Sequence, residues 1–208
     1  NSVLETINLD QDIMEILFEG ADVGSTSEDK APEPYRRSLP LKVATHPDTL
    51  LAYEMNGEVL PIEHGYPVRL IVPGWYGMAH VKWLSKITTL TEPFSGYFQG
   101  EKYVLKYKDG TKSPVQEMKV KSTITSPSSN EIIKCCSNYY IKGHAWSGRS
   151  NIDKVEVSVD RGQTWNLATL HGPTESYSWQ PWTYQWTPQL TGEHTILSRA
   201  TNKNGTQQ

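Results

Sequence analysis

The stretch HGYPVRLIVPGWYGMAHVKWLSK, residues 64–86, decides how the first half of the chain reads. The run PVRLIV (67–72) predicts a strand, set between His64-Gly65 and the break at Pro73-Gly74. Alternation along it puts Arg69 on the face opposite Val68 and Leu70. His64, Arg69, His80 and Lys82 then lie near two glycine-containing breaks. Arginine supplies a rigid fork of donors suited to phosphate, and lysine a mobile point charge. Histidine donates from either ring nitrogen, and backbone N–H groups around 77–81 can complete an anion nest. Such a set would grip a phosphorylated or polyanionic ligand. On these residues alone a buried strand with a salt bridge and two surface histidines is the commoner explanation.

On the N-terminal side, residues 3–7 read as the end of a short helix and 13–18 (IMEILF) as a strand entering the loop EGAD. Residues 24–37, polar with Pro32 and Pro34, read as a long loop, and 49–55 (TLLAYEM) as a strand. Asn56-Gly57 is a strong hairpin signal because both positions tolerate positive φ. Residues 86–90 predict another strand. This half reads as mixed α and β, with more strand than helix.

From about residue 113 helical periodicity disappears, and short strands recur between turn residues, as in a β-sandwich. Val155, Val157 and Val159 alternate with Glu156, Ser158 and Asp160, which predicts one buried face. Asp160-Arg161-Gly162 turns the chain toward a strand at Trp165. Trp179 to Trp186 predict a strand pair or a bulged strand, and 194–201 a later strand. The domain boundary falls near 108–125, and no internal repeat is present. The chain opens without Met and stops just after a turn signal at NKNGTQQ, so a piece of a longer protein is expected.

The 208 residues suffice for one large domain or two small ones. No stretch approaches the ~20 apolar residues of a membrane helix, and no basic-plus-apolar signal segment opens the chain. Two adjacent cysteines, Cys135 and Cys136, exclude a disulfide scaffold and a zinc finger. The net charge of −3 hides a gradient. Residues 1–63 carry 4 Lys and Arg against 13 Asp and Glu, residues 64–121 carry 9 against 4, and residues 122–208 carry 7 against 6. The basic middle could attract an anion. Without a dense Arg/Lys cluster, nucleic acid is not expected as a partner.

Nucleophilic catalysis has little support, since Gly-x-Ser-x-Gly is absent and no histidine neighbours a cysteine in sequence. Cys135 and Cys136 are read as small apolar core positions in a strand, with a reactive thiol or metal ligand as the rarer option. The run SVDRGQTW (158–165) resembles the Asp-box hairpin of sialidases and other β-proteins, a structural turn. Trp165, Trp179, Trp182 and Trp186 could stack on sugar rings, but core packing is the commoner role.

FEGAD (18–22), LLAYEMNGEVLP (50–61), HGYPVRLIVPG (64–74) and GMAHVKWL (77–84) resemble the molybdenum-cofactor domain of the sulfite oxidase family. IKGHAWSG (141–148) and VEVSVDRGQTW (155–165) resemble that family's immunoglobulin-like dimerisation domain. The match runs in order over nearly the whole chain.

The fold class this implies is α+β. Part of a sulfite-oxidase-type molybdopterin domain would occupy residues 1–112. An all-β immunoglobulin-like sandwich lacking its last strand would occupy 113–208. The resemblance implies a molybdenum cofactor (molybdenum on molybdopterin) contacted by Asp22, His64, Arg69, His80, Val81 and Lys82. It reverses the odds given above to the plainer explanation of those residues. The family's tyrosine beside the molybdenum closes a W-Q-x-x-x-Y stretch. Here that is Phe98 to Tyr103, making Tyr103 the catalytic candidate and Phe98 a departure. A phenol there can donate to a bound oxyanion.

None of these residues is a metal ligand, because the family's ligating cysteine lies upstream of FEGAD, and Cys135 and Cys136 do not align with it. A substrate-binding arginine of sulfite oxidases aligns with Gln180, whose neutral amide would bind a dianion less well. Arg36, Arg37 or Lys102 could compensate. The implied activity is two-electron oxygen-atom transfer to a small oxyanion such as sulfite. The electrons would pass to a separate acceptor such as a cytochrome, from a homodimer joined through the C-terminal domain. Nitrate-reductase-like chemistry is the alternative enzyme, and a non-catalytic binding or dimerisation module the alternative class. Export to a bacterial periplasm is an expectation of the resemblance.

Overall fold

The computed structural model describes residues 11–25 and 31–208; the helix end expected at 3–7 lies outside them. The chain forms two compact units that divide between Gln116 and Glu117. Among the described residues, no helix is long and apolar enough to cross a membrane.

In the first unit, β1 (Glu15–Gly24) is the centre of an antiparallel sheet, with β2 (Glu33–Pro40) on one side and β7 (Leu84–Leu90) on the other. Ile16 and Phe18 alternate into the core, where they meet Leu39, Leu70, Val72 and Val81. Three small two-stranded ladders surround this sheet. They are β3 (Leu50–Ala52) with β6 (Arg69–Ile71), β4 (Glu54–Met55) with β5 (Glu58–Val59), and β8 (Val104–Lys106) with β9 (Lys112–Pro114). Asn56 and Gly57 turn β4 into β5 with φ of 55° and 83°. The α+β class expected here gives way to a mostly β one. Helix among the described residues is limited to α1 (Leu41–Ala44), 3-10 turns at Ile62–His64 and Gly77–Ala79, and a π turn at Phe98–Lys102.

One expectation is corrected. The supposed loop 24–37 contains the start of β2, with Pro34 opposite Val23. Proline is tolerated there because β2 is an edge strand, whose outer N–H groups need no ladder partner.

The second unit is two antiparallel sheets packed face to face. One runs β10 (Lys121–Ser126), β11 (Tyr139–Trp146), β15 (Gln180–Trp186), β14 (Thr169–Leu170). The other runs β13 (Asn166–Leu167), β12 (Ile152–Ser158), β16 (Leu197–Asn202). Ile141, Val155, Val157, Trp182 and Ala200 fill the space between them. The tryptophan-rich segment is neither a strand pair nor bulged. β15 pairs with β11 without a register shift, from Gln180 opposite Ala145 to Trp186 opposite Tyr139. Trp182 and Trp186 face the core because they sit two by two along a pleat.

The Asp160 turn is built as a structural turn. Its carboxylate accepts from the Ser158 hydroxyl and from the Thr164 amide and hydroxyl. These donors, Ser158 first, hold the carboxyl down to about 2. After the turn at 202–205 the chain folds back on β16, where Ala200 and Gln208 exchange both backbone hydrogen bonds. Cys135 and Cys136 are not strand core positions: both lie outside any strand, the first half-buried and the second exposed.

Candidate functional site

The site grows from β6 and the two turns beside it. Leu70 is buried in the core, which leaves Arg69 on the opposite face. The 3-10 turn Ile62–His64 ends on Gly65 at φ 108°. A Cβ on Gly65 would lie 3.0 Å from Arg69 Cβ and 3.1 Å from Lys82 Cβ, so only glycine lets these backbones close together. Arg69 Nη1 donates to the His64 carbonyl at 2.9 Å, and Nη2 reaches the His80 carbonyl at 3.5 Å. Its Nε is buried with no partner. Burial lowers the Arg69 pKa from its ordinary value. Lys82 Nζ donates to the Glu63 carbonyl at 2.9 Å and lies 4.3 Å from the Trp83 ring centre. The exposed His64 completes this edge.

His80 and Val81 contribute differently. The His80 ring turns into its own loop, with Nδ1 3.5 Å from the Val72 amide and Nε2 3.4 Å from the Trp75 carbonyl. Burial, and secondarily the Arg69 charge, pull its pKa down. A neutral ring that accepts at Nδ1 and donates at Nε2 satisfies both neighbours. Val81 is fully buried, and its carbonyl accepts from Leu70 at 2.8 Å. The backbone of both residues is engaged as well: the His80 and Val81 amides donate to the Gly77 and Ala79 carbonyls, and their own carbonyls accept from Arg69 and Leu70.

Asp22 reaches the same place from β1. A register shift between Glu19 and Gly20 lifts the strand out of its ladder with β7. A Cβ on Gly20 would collide with the Asp22 carboxylate and lie 3.0 Å from the Lys82 carbonyl. Beside Asp22 stands Tyr35 of β2, whose hydroxyl donates to the Met78 carbonyl at 2.6 Å. Burial first, opposed by Arg37 and aided by Tyr103 and Asp22, pushes its phenol up to about 12. Tyr103 follows the π turn and stacks on Phe98, which packs against Tyr35 with ring centres 4.7 Å apart.

Arg37 holds this wall in place. It is 1% exposed, and it donates to the Phe98 carbonyl at 2.7 Å and the Val115 carbonyl at 2.8 Å. Next to it the Ser38 amide donates to Gln99 Oε1 at 3.0 Å, and Gln99 Nε2 returns a bond to the Ser38 hydroxyl at 2.6 Å. Tyr35 was hidden from sequence reading by the two prolines, and Arg37 was read only as a cation that could compensate for Gln180. Tyr35, Arg37 and Leu39 at period two were the available signal.

Residues 1–98 match the oxidoreductase molybdopterin binding domain, and residues 112–208 match the Mo-co oxidoreductase dimerisation domain. The chain belongs to the sulfite oxidase family of molybdopterin oxidoreductases. It is 37% identical over 182 residues to mitochondrial sulfite oxidase of Homo sapiens, covering 80% of this chain and 32% of that protein. It is 33% identical over 189 residues to inducible nitrate reductase [NADH] 2 of Glycine max, covering 77% of this chain and 20% of that protein. The crystal structure of sulfane dehydrogenase SoxCD from Paracoccus pantotrophus superposes with a TM-score of 0.84 at 31% identity, covering all of this chain and 51% of that one. The chain thus spans about a third of the length of the sulfite oxidase it matches.

The cofactor of the family is molybdenum carried on molybdopterin, and the first unit fits its anionic part. Arg69 Nε, like Arg37 Nε and Trp75 Nε1 of this unit, is a buried donor without an acceptor, and it is the one beside Gly65 and Lys82, where a ligand can supply one. Gly20 and Gly65 keep the wall free of side chains beside it. Arg69 and Lys82 meet at Gly65 beside the exposed His64, Gly20 lies between Asp22 and Lys82, and Tyr35 packs through Phe98 toward Tyr103.

No group of three or more metal-ligating side chains occurs among the described residues. Of the cations named as compensating for Gln180, Arg36 is paired with Glu19 and Arg37 is buried on carbonyls. Lys102 lies 5.8 Å from the Tyr103 ring centre. In the second unit Gln180 is 4% exposed, and its amide donates to the His171 carbonyl.

Proposed function

We propose that this chain is part of a molybdenum-dependent oxidoreductase of the sulfite oxidase type, acting on a small oxyanion such as sulfite. Its electrons pass to a separate acceptor such as a cytochrome. The observation that carries the reading is the partnerless Arg69 Nε beside Lys82, His64 and the two glycines. When bound, the molybdenum group supplies oxygen-atom and two-electron exchange. Arg69 and Lys82 hold the anionic end of the cofactor, and their backbone-anchored side chains need little reorganisation to do so. Asp22 accepts donors of the pterin.

Tyr103 holds a proton at its phenol oxygen and donates it toward the oxyanion. Tyr35, protonated across the physiological range, is held in that wall by its bond to the Met78 carbonyl. Gln180 is the substrate-facing residue of the second unit, with a neutral amide that lowers affinity for a dianion. The second unit is an immunoglobulin-like sandwich through which two copies pair.

The test is molybdenum by elemental mass spectrometry, with pterin fluorescence, on the protein with its native upstream sequence. About one molybdenum per chain, lost in Arg69→Met with the fold intact, supports the reading. A folded wild type without molybdenum or pterin, made where the cofactor is supplied, overturns it.

A further inference from the structure

The vicinal pair Cys135-Cys136 takes no part in the site above. It lies in the connection between β10 and β11, where Cys136 is exposed and Cys135 half-buried. In extended chain, neighbouring side chains point to opposite sides. Here Cys136 adopts φ 58°, in the left-handed region, and both sulfurs come to one side, 3.3 Å apart. That backbone is uncommon for a residue with a Cβ. It is fixed from outside the loop, because the Cys136 amide donates to the Pro188 carbonyl at 2.9 Å. The Cys135 thiol faces the same carbonyl at 3.5 Å. The two thiols are therefore held against each other and open to solvent.

We propose that Cys135 and Cys136 form a reversible vicinal disulfide, making this loop a thiol–disulfide exchange site of the second unit. The oxidant is a small soluble disulfide. One cysteine thiolate attacks a sulfur of that disulfide, its S–S bond breaks, and one thiolate leaves. The second cysteine then attacks the mixed disulfide and expels the other thiolate. The cysteines lose two electrons and two protons; the small disulfide gains them and departs as two thiols.

Adjacent Cα atoms are about 3.8 Å apart across a trans peptide, short of the roughly 4.4–6.8 Å usual for a disulfide. The ring is consequently strained and readily reduced, which suits a switch better than a brace. Closure also removes the Cys135 S–H donor from the Pro188 carbonyl, and Pro188 follows the buried Trp186 by two residues.

The inference is independent of the molybdopterin assignment and is tested on the full-length, cofactor-loaded protein. Samples are equilibrated with reduced and oxidised glutathione at graded ratios, acid-quenched, alkylated and digested with trypsin. Cleavage after Lys134 and Lys142 releases one peptide, CCSNYYIK, with both cysteines. The expected product is that peptide lighter by two hydrogens, restored by dithiothreitol. Cys135→Ser and Cys136→Ser should carry a glutathione adduct instead. A wild-type peptide that stays dithiol, accumulates glutathione adducts or cross-links to a second copy overturns the proposal. If the serine variants do not fold, phenylarsine oxide serves on the wild type. One arsenical per chain that blocks both thiols from alkylation supports the paired geometry, and no protection refutes it.

Discussion

Replacing Arg37 by Met removes a buried cation that no carboxylate accompanies. Its guanidinium donates to the Phe98 and Val115 carbonyls, tying β2 to the π turn that carries Tyr103. A methionine fills much of the volume but leaves the Val115 carbonyl without this donor, while the Phe98 carbonyl keeps only the Tyr103 amide at 3.2 Å. The orphaned Val115 carbonyl costs about 1–3 kcal/mol and the charged hydrogen bond lost at Phe98 about 1.5–3 kcal/mol, so the gross loss is about 2.5–6 kcal/mol. Part is offset, because the wild type bears the desolvation of an unpaired charge. A net loss of about 2–3 kcal/mol is expected. In a protein of this size that lowers Tm by roughly 5–10 °C.

The assay is a thermal melt of the loaded protein by tryptophan fluorescence, with hydrogen exchange read at the amides of 99–103. Exchange should quicken there, kcat should fall more than KM rises, and Arg37→Lys should recover part of each. An Arg37→Met protein that melts within about 1 °C of wild type, with unchanged exchange at 99–103, would refute the reasoning.

Three further outcomes are expected. Asp160 has a folded pKa of about 2 against an ordinary 3.8. Its contribution is fully present above the ordinary value and disappears as pH falls through about 2. Melts against pH should show Asp160→Asn less stable than wild type near neutrality, with the difference gone at the acid end. Gly65→Ala places a methyl 3.0–3.1 Å from Arg69 and Lys82 at φ 108°. Molybdenum per chain should drop several-fold while the far-UV spectrum holds. Tyr103→Phe should lower kcat by about 10²-fold with molybdenum content unchanged; an unaltered kcat removes Tyr103 from the chemistry.

Chemistry written in contiguous residues was readable from the chain. Asn56-Gly57, the Asp160 turn and the valine alternation of β12 depend on local φ and ψ preferences and on a period of two. The first two survive intact in the structure; the alternation holds at Val155 and Val157 and ends there, because Ser158 is fully buried and Val159 lies past β12, half-buried. The residues HGYPVR and HVKW carried the family and, through it, the cofactor. Sequence misjudged Pro34, because whether proline is tolerated depends on which strand lies at the edge of a sheet. It misjudged the cysteine pair because burial depends on what packs above a segment, and Cys136 meets Pro188 from a distant connection.

Tertiary structure alone decided that the His80 ring turns into its own loop while its carbonyl accepts from Arg69. It also decided that Arg37 is buried on the Phe98 and Val115 carbonyls, where it braces the Tyr103 turn. Both outcomes turn on which groups take the same donors and acceptors: Val72 and Trp75, within the loop, take the His80 ring, and Phe98 and Val115, far along the chain, take the guanidinium. Periodicity and motif fix which residues can serve a site. Which atom of each remains to serve it is settled only once every buried polar group has found its partner.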